Sequence, residues 1–366
     1  MVRHLYIHVP FCHRICPYCS FYKHTPGGYD HRAFVDALLA ELDNHLASFG
    51  CRPSTIYLGG GTPTALSRTH LDVLLTGLAQ RLDLEYLEEW DIEANPKTFG
   101  EAKAELMRAA GVTRISLGVQ SWQEQTLGTL GRDHSPTEAE NAYRILREQE
   151  FPSVNIDLMF SVPGQSRPMW REDLARTADL APDHVSAYNL NYEEDTEFFE
   201  RLQRGELDAD GERDADMFAV AIDVLGQAGF EHYEISNYAR PGHRSRHNAA
   251  YWSGADYLGI GPGAFSTVGG ERWRNVPDTA AYIRAVSSGA LRRIITEHET
   301  IDAEAFRRER VALELRTSRG VSIEHIGDLI KLEELGDRGL VTTRVGRATL
   351  TAEGKFLADP IAAELI

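Results

Sequence analysis

The 366-residue sequence has few cysteines, few basic residues and no long apolar segment. Only four cysteines are present, three of them within eight residues, so a disulfide framework is excluded and a reducing compartment is expected. Asp and Glu outnumber Lys and Arg by 55 to 38, and the net charge of -17 opposes a general nucleic-acid or anionic-membrane surface. No apolar segment approaches the roughly 18 residues of a membrane span, and no signal region precedes the first cysteine. We therefore expect a cytoplasmic protein.

The three clustered cysteines form a Cys-x3-Cys-x2-Cys loop of Cys12, Cys16 and Cys19. Thiolates are soft ligands that select iron-sulfur clusters, zinc or Cu(I), and this loop is short enough to bring three sulfurs to one centre. A 4Fe-4S cluster held by three thiolates leaves one iron open for another ligand, as catalytic metal sites do. The alternative is a structural zinc site with His8 or His13 as its fourth ligand. Zinc spacings usually include a second, distant pair of ligands, which is absent here.

Short apolar runs alternate with helical patterns from residue 5 to about 195, which predicts repeated βα units around a parallel sheet. In the first predicted helix, for example, Val35, Leu38, Leu39, Leu42 and Leu46 lie on one face. The predicted strands are Leu5–Val9, Thr55–Leu58, Asp91–Ala94, Arg114–Gly118, Val154–Met159 and His184–Leu190. Further helices are predicted near 99–110, 136–149 and 167–180. The fold class is therefore α/β with six parallel strands.

Glycine and polar residues stand where these strands end. Gly59–Pro63 follows the second strand, Glu93 lies at the end of the third, Gln120 closes the fourth and Asp157 lies in the fifth. Because the carboxyl ends of parallel barrel strands form one face, these residues predict a single active site together with the cysteine loop. Each also has a structural alternative: a tight glycine turn, a solvated strand-end carboxylate, or polar side chains of the barrel interior.

A second glycine series, Gly259-x-Gly261-x-Gly263, lacks the spacing of a dinucleotide-binding loop and lies far from the first βα turn. We assign it no cofactor.

Several segments resemble the radical S-adenosylmethionine (SAM) superfamily and, within it, the coproporphyrinogen III oxidase-like family. They are Tyr6–Cys12, Tyr57–Pro63, Glu93–Pro96, Ser116–Ser121, Leu130–His134 and Asn155–Met159. The resemblance implies a partial (β/α)6 barrel with a 4Fe-4S cluster on Cys12, Cys16 and Cys19. It also implies a SAM pocket made of Tyr6, Gly60, Gly61, Thr62, Glu93, Gln120, Arg132, Asp157 and Phe265.

The family contains an oxidase branch and a heme-chaperone branch. The cysteine motif of the oxidase branch resembles Cys-x3-Cys-x2-Cys-x-Cys and follows a long N-terminal extension. In this sequence Phe21 occupies the position of the fourth cysteine, and 11 residues precede Cys12. The segment His247–Trp252 instead matches the His-Asn-x-x-Tyr-Trp motif of the chaperones. This resemblance implies that His247, Asn248, Tyr251 and Trp252 bind heme.

As partners, the chaperone resemblance implies heme and heme-accepting respiratory proteins. It is compatible with peripheral membrane association through those partners and with a homodimer. The alternative function is an oxidase that removes porphyrinogen propionates as CO2 with a SAM-derived radical. A third function, nucleic-acid modification, is opposed by the charge.

Basic residues surround the motif, which gives the chaperone interpretation a physical basis. Arg240, Arg244 and Arg246 offer guanidinium groups for propionates, and His243 and His247 offer imidazoles for iron. The alternative is a solvated loop with chance histidines.

The βα alternation stops near residue 270, which predicts three regions. These are a radical SAM barrel over 1–270, a linker over 271–296, and a C-terminal winged-helix-like α+β domain over 297–366. The last region has 14 acidic and 10 basic residues, so we expect it to pack or dock rather than bind DNA.

Overall fold

The computed structural model describes residues 1–366 and begins with a repeated strand–helix pattern. All six predicted strands and the helices between them are present, with bounds that differ by a few residues. The elements of this part are β1 (Val2–Val9), α1 (His31–Phe49), β2 (Cys51–Gly60), α2 (Arg68–Arg81), β3 (Glu89–Ala94), α3 (Glu101–Ala109), β4 (Arg114–Gln120), α4 (Glu124–Thr129), α5 (Pro136–Glu148), β5 (Ser153–Phe160), α6 (Arg167–Leu180) and β6 (His184–Asn189).

Helix starts in this region follow local side-chain chemistry. Asp30 accepts hydrogen bonds from the backbone N–H groups of Arg32 and Ala33 and so caps α1. Ser135 and Glu138 form a reciprocal capping box at the start of α5, where Pro136 occupies the first turn. None of the helices in the structure is both long and apolar enough to cross a membrane.

Six further elements complete the large sheet. They are α7 (Glu197–Gln203), α8 (Gly211–Gln227), β7 (Glu231–His232), β8 (Asn237–Ala239), α9 (Arg246–Trp252) and β9 (Leu258–Ile260). The strand order is β7-β8-β6-β5-β4-β3-β2-β1-β9; β1 to β6 and β9 run parallel, and β8 pairs antiparallel with both β6 and β7. Because β7 and β9 are the two edges of this sheet, the barrel is open. The expected α/β fold with a six-stranded parallel barrel is confirmed.

The glycine series without an assigned cofactor lies in and after β9, a strand that the sequence pattern did not predict. A Cβ on Gly259 would lie 2.0 Å from the Phe265 carbonyl oxygen, and one on Gly261 would lie 2.5 Å from the His8 carbonyl oxygen. These glycines therefore allow backbone segments to approach closely and add β9 to the edge of β1.

The remaining chain forms two small antiparallel sheets with helices. Its elements are β10 (Phe265–Val268), β11 (Glu271–Asn275), α10 (Thr279–Ser287), β12 (Ile295–Thr300), α11 (Ala303–Glu314), β13 (Val321–Ser322), α12 (Leu329–Asp337), β14 (Val341–Arg344), β15 (Arg347–Leu350), α13 (Ala352–Lys355) and α14 (Ala358–Leu365). The first sheet is β10-β11-β12 and the second is β13-β15-β14.

The segment over 303–366 has its own apolar core, separate from the core of the barrel. Residues 271–296, for which the sequence predicts a linker, contain β11 and α10. The three domain boundaries stay a prediction.

Candidate functional site

A cavity of about 380 Å³ lies at the carboxyl ends of the barrel strands, and we call it the cluster cavity. Most of the residues that the sequence assigned to cluster and SAM line it. These are Cys12, Cys16, Cys19, Gly60, Gly61, Thr62, Glu93, Gln120, Arg132 and Asp157. The topology thus brings together side chains from five strand ends, as the barrel geometry predicts.

The three cysteines are free thiols at the edge of this cavity. The backbone N–H of Cys12 donates to the His24 carbonyl at 3.0 Å, and that of Cys19 donates to the Cys16 carbonyl at 3.2 Å, which together shape the loop. Burial raises the pKa of Cys12 to about 11 and also raises that of Cys19. Metal binding to these thiols must therefore release protons.

The zinc alternative with His8 fails on hydrogen bonding. His8 Nε2 donates to the Tyr22 carbonyl at 2.8 Å, and Nδ1 lies 3.0 Å from the Tyr6 hydroxyl, so neither ring nitrogen is free. His13 is exposed at the loop surface. No group of three or more His, Cys, Asp or Glu side chains closes around a point that could hold one metal ion.

The glycines after β2 are required by close packing. Gly60 has a φ of 102°, and a Cβ there would lie 2.3 Å from the His8 ring. A Cβ on Gly61 would lie 2.6 Å from the Pro10 backbone carbon. The segment therefore fits directly against the backbone that leads into the cysteine loop, and no residue with a side chain could replace these glycines without a shift.

Two acidic side chains in the cavity wall have raised pKa values. Glu93 accepts from the Tyr57 hydroxyl at 2.7 Å and from the Gly60 N–H at 3.2 Å, and burial raises its pKa to about 7. Asp157 accepts from Asn155 Nδ2 at 2.7 Å, and burial raises its pKa to about 6. Both carboxyl groups would gain from a cationic or N–H-donating ligand.

Gln120 and Arg132 have polar atoms that the protein does not satisfy. Gln120 follows a register irregularity at the end of β4 and has a φ of 69°, and its buried Oε1 has no partner. Arg132 Nη2 donates to the Gly118 carbonyl at 2.8 Å and Nη1 lies 3.4 Å from Cys16 Sγ, while Nε has no partner. Backbone strain and unpaired buried groups are typical of ligand sites.

These observations fit the cluster and SAM that the resemblance implies. Three thiols converge on one cavity, and the adjacent wall presents close-packed backbone, two carboxyl groups and unpaired polar atoms. Cys51 is buried elsewhere, in β2, and does not line the cavity.

The floor of the cavity holds polar residues that the sequence interpretation missed. Asp91, Arg114, Ser116, Asn155, His184, Ser186 and Tyr188 line it. Ser116 Oγ donates to both oxygens of Asp91 at 3.1 and 3.3 Å, and burial raises the pKa of Asp91 well above its usual range. The signal was available, because polar residues recur at every second position in strands that are otherwise apolar.

Tyr6 and Phe265 lie outside the cavity wall. The Tyr6 hydroxyl bonds to His8, and its ring stacks on Tyr57 with centroids 6.1 Å apart. Phe265 is 39% exposed, and Arg274 lies 5.1 Å from its ring centroid. Their assignment to SAM stays a prediction.

The proposed heme motif forms α9, which we call the motif helix. Asn248 lines the cluster cavity, but His247 is fully buried beside it. His247 Nδ1 lies 2.8 Å from Thr55 Oγ1, whereas its Nε2 has no partner. Burial lowers the pKa of His247 to about 3, so the imidazole is neutral. A neutral imidazole is the form that binds iron, but this one is covered by protein.

Both ends of the motif helix are anchored. Glu89 accepts from the backbone N–H groups of Arg246 and His247 at 3.0 and 2.9 Å, and Arg114 Nε donates to it at 3.0 Å. At the other end, Arg310 of α11 donates to the Ser253 carbonyl. The C-terminal segment thereby holds the motif helix against the barrel.

The other members of the basic segment have partners on the protein. Arg244 pairs with Glu231 and Arg246 with Glu88, both half-exposed, while Arg240 donates to the Pro182 carbonyl. Trp252 is partly buried, with Arg316 of the C-terminal segment 5.9 Å from its ring centroid. Contacts of these arginines with heme propionates stay a prediction, and they would require the arginines to release their present partners on the protein.

Comparison with known proteins gives concordant matches. The sequence pattern of the radical SAM superfamily matches residues 6–179. The chain is 36% identical to "Heme chaperone HemW" of Lactococcus lactis, with 89% of this chain and 84% of the relative covered. It is 41% identical to the protein of the same name in Escherichia coli, over 72% of this chain and 70% of that relative.

Among solved structures, the coproporphyrinogen III oxidase HemN of Escherichia coli, a radical SAM enzyme, superposes with a TM-score of 0.84. The match covers 100% of this chain and 90% of that one at 24% identity. The two proteins therefore share a fold.

Proposed function

The chain belongs to the HemW family of the radical SAM superfamily, and on this basis we propose that it is a heme chaperone. It binds heme and transfers it to hemoproteins such as respiratory enzymes. The match extends over most of the chain and over most of the named relatives, so it includes the barrel, the motif helix and much of the C-terminal segment. Heme is therefore cargo rather than a resident group.

Two resident groups accompany this function in the proposal. Cys12, Cys16 and Cys19 would hold a 4Fe-4S cluster, and the cavity wall from Gly60 to Asp157 would hold SAM. When bound, the cluster supplies an electron that can cleave the SAM sulfonium. Arg132 is the residue that connects the two, because it contacts Cys16 Sγ and carries an unpaired Nε in the same wall.

The observation that carries the heme proposal is the motif helix itself. It places His247 with an unpartnered, neutral Nε2 directly behind the wall that Asn248 contributes to the cluster cavity. The cavity of about 380 Å³ is lined by the residues proposed to hold the cluster and SAM, so in this proposal its space belongs to those two groups. Heme would bind at the motif helix and not in the barrel interior, with His247 reached by local opening of that helix.

The runner-up function is a coproporphyrinogen oxidase, which the shared fold favours. The sequence departs from the oxidase pattern at Phe21, whose exposed side chain lies at the cavity edge where the pattern has a fourth cysteine. A shared fold does not establish a shared substrate or reaction.

One experiment separates the two functions. The cluster is reconstituted without oxygen, and the same preparation is assayed for heme binding, for 5′-deoxyadenosine and for decarboxylation of coproporphyrinogen III. We expect tight heme binding and transfer to an apo-hemoprotein, without the divinyl product. Stoichiometric divinyl product with turnover of SAM would assign the protein to the oxidases instead.

A further inference from the structure

His247 is linked to a second histidine by one hydroxyl group. Thr55 Oγ1 lies 2.8 Å from His247 Nδ1 and 2.9 Å from His4 Nδ1. His4 and Thr55 face each other in the register of β1 and β2, so the sheet itself fixes this spacing. Thr55 is 1% exposed, so the hydroxyl is shielded from bulk solvent.

The orientation of the His247 ring is also fixed by packing. Tyr57 stacks on it with centroids 5.0 Å apart and planes 25° apart, and Tyr251 meets it edge-on at 4.7 Å. The ring is therefore held between two aromatic side chains. The Nδ1 atom of His247 faces Thr55, whereas its buried Nε2 atom has no hydrogen-bond partner.

If the Thr55 hydroxyl donates to one of the two histidines, the His4–Thr55–His247 relay has two arrangements. In the first, His247 Nδ1–H donates to Thr55, Thr55 donates to His4 Nδ1, and His247 Nε2 carries a free lone pair. In the second, His4 Nδ1–H donates to Thr55, Thr55 donates to His247 Nδ1, and Nε2 carries a proton. Iron binds only the first form, because its ligand must offer a lone pair.

We propose that Thr55 and His4 are positioning residues that hold His247 in the first arrangement, so that Nε2 offers a lone pair to heme iron once the motif helix opens. This inference rests on the proposed function. In metal sites, the hydrogen bond on the second ring nitrogen fixes the tautomer and ring orientation and raises the basicity of the ligand. Thr55 supplies that acceptor, and His4 keeps it an acceptor by taking the hydroxyl proton.

Thr55→Val tests the relay, because it keeps the shape of the side chain and removes the hydroxyl. Loss of such a second partner typically weakens metal binding by roughly 10- to 100-fold, and we expect this loss of heme affinity together with an altered iron–imidazole band in the resonance Raman spectrum. Thr55→Ser is the matched control and should restore both. His4→Ala should shift the same band, since Thr55 is then free to donate to His247.

The tautomer can also be read without heme. Imidazole ¹⁵N spectra of the unliganded wild-type protein should show His247 protonated at Nδ1 and bare at Nε2, and His4 with the opposite tautomer. A proton on His247 Nε2 would overturn the inference, even if the variants fail to fold.

Failure of the relay and failure of the function give different results. If His247→Ala loses heme while Thr55→Val keeps wild-type affinity and spectrum, the relay is wrong and the chaperone function stands. If the wild-type protein itself does not bind heme, the proposed function fails whatever the tautomer.

Discussion

The cluster cavity and the motif helix differ in whether their buried polar groups already have hydrogen-bond partners within the protein. Around the cavity, Gln120 Oε1 and Arg132 Nε are unpaired, and burial raises the pKa of Glu93 to about 7. Around the motif helix, Glu89 and Arg310 hold both ends, and His247 is enclosed. The cavity therefore needs a ligand to complete it, whereas the helix needs to open before a ligand can enter.

This difference assigns different energetic roles to the two regions. Ligand binding in the cavity replaces missing hydrogen bonds, which are each worth about 1–3 kcal/mol when left unmade in a buried site. Ligand binding at the helix must first break existing contacts, so heme affinity includes the free energy of local opening.

The largest expected effect tests the three-thiol cavity. Cys16→Ser should abolish the 4Fe-4S cluster, measured as iron and sulfide per chain after anaerobic reconstitution, since one ligand of three is lost. Cys51→Ser is the matched control and should keep the full cluster, because Cys51 lies in β2 outside the cavity. Equal loss in the two variants would contradict the three-ligand assignment.

The second effect concerns the contact between barrel and C-terminal segment. Glu234 is 1% exposed, its Oε1 has no partner, and burial raises its pKa to about 7. Because the folded pKa lies above the unfolded value, stability is full below about pH 4.5 and falls as pH rises through about 7. At 1.36 kcal/mol per pKa unit, Glu234→Gln should remove up to about 3 kcal/mol of the decrease in the free energy of unfolding between these pH values.

The measurement is the free energy of unfolding in urea at a series of pH values. The matched control is Glu353→Gln, which neutralises an exposed carboxyl group of the C-terminal segment and should leave the slope unchanged. If the free energy of unfolding of Glu234→Gln has the same pH dependence as that of the wild type, the pKa of Glu234 is not raised by folding.

The third effect tests the enclosed histidine. His247→Ala should weaken heme binding by roughly tenfold or more, with changed absorbance bands and an unchanged cluster spectrum, because no cluster ligand contacts the ring. His243→Ala removes a half-exposed imidazole just before the motif helix and should do less. Identical heme binding in wild type and His247→Ala would make the motif structural in this chain.

The smallest effect tests the anchor of the motif helix. Arg310→Ala removes the hydrogen bond to Ser253, and a bond of about 1 kcal/mol corresponds to about a fivefold larger open population. We expect heme to associate faster by about that factor in stopped-flow mixing. Arg308→Ala is the control on the same helix, because Arg308 contacts only Glu304. A slower or unchanged rate in Arg310→Ala would indicate that heme enters without opening this end.

Local patterns were enough to predict most of the fold. Apolar spacing located six strands and their helices. Alternation of strand and helix required a parallel sheet, and a parallel sheet collects its strand ends on one face. For that reason the three cysteines, Glu93, Gln120 and Asp157 could be placed in one site from sequence alone. Strand β9 was missed because three residues carry too little periodicity.

Only the tertiary structure decided how the motif segment is placed. His247 bonds to Thr55, 192 residues away, and its backbone to Glu89, 158 residues away, and no local pattern encodes such pairs. The same holds for Arg114, which is in β4 yet lies beside Glu89 and His243. The sequence determined which groups could bind iron, sulfur and SAM, because that depends on side-chain chemistry. Whether an imidazole is open or enclosed depends on long-range packing, and here packing encloses His247.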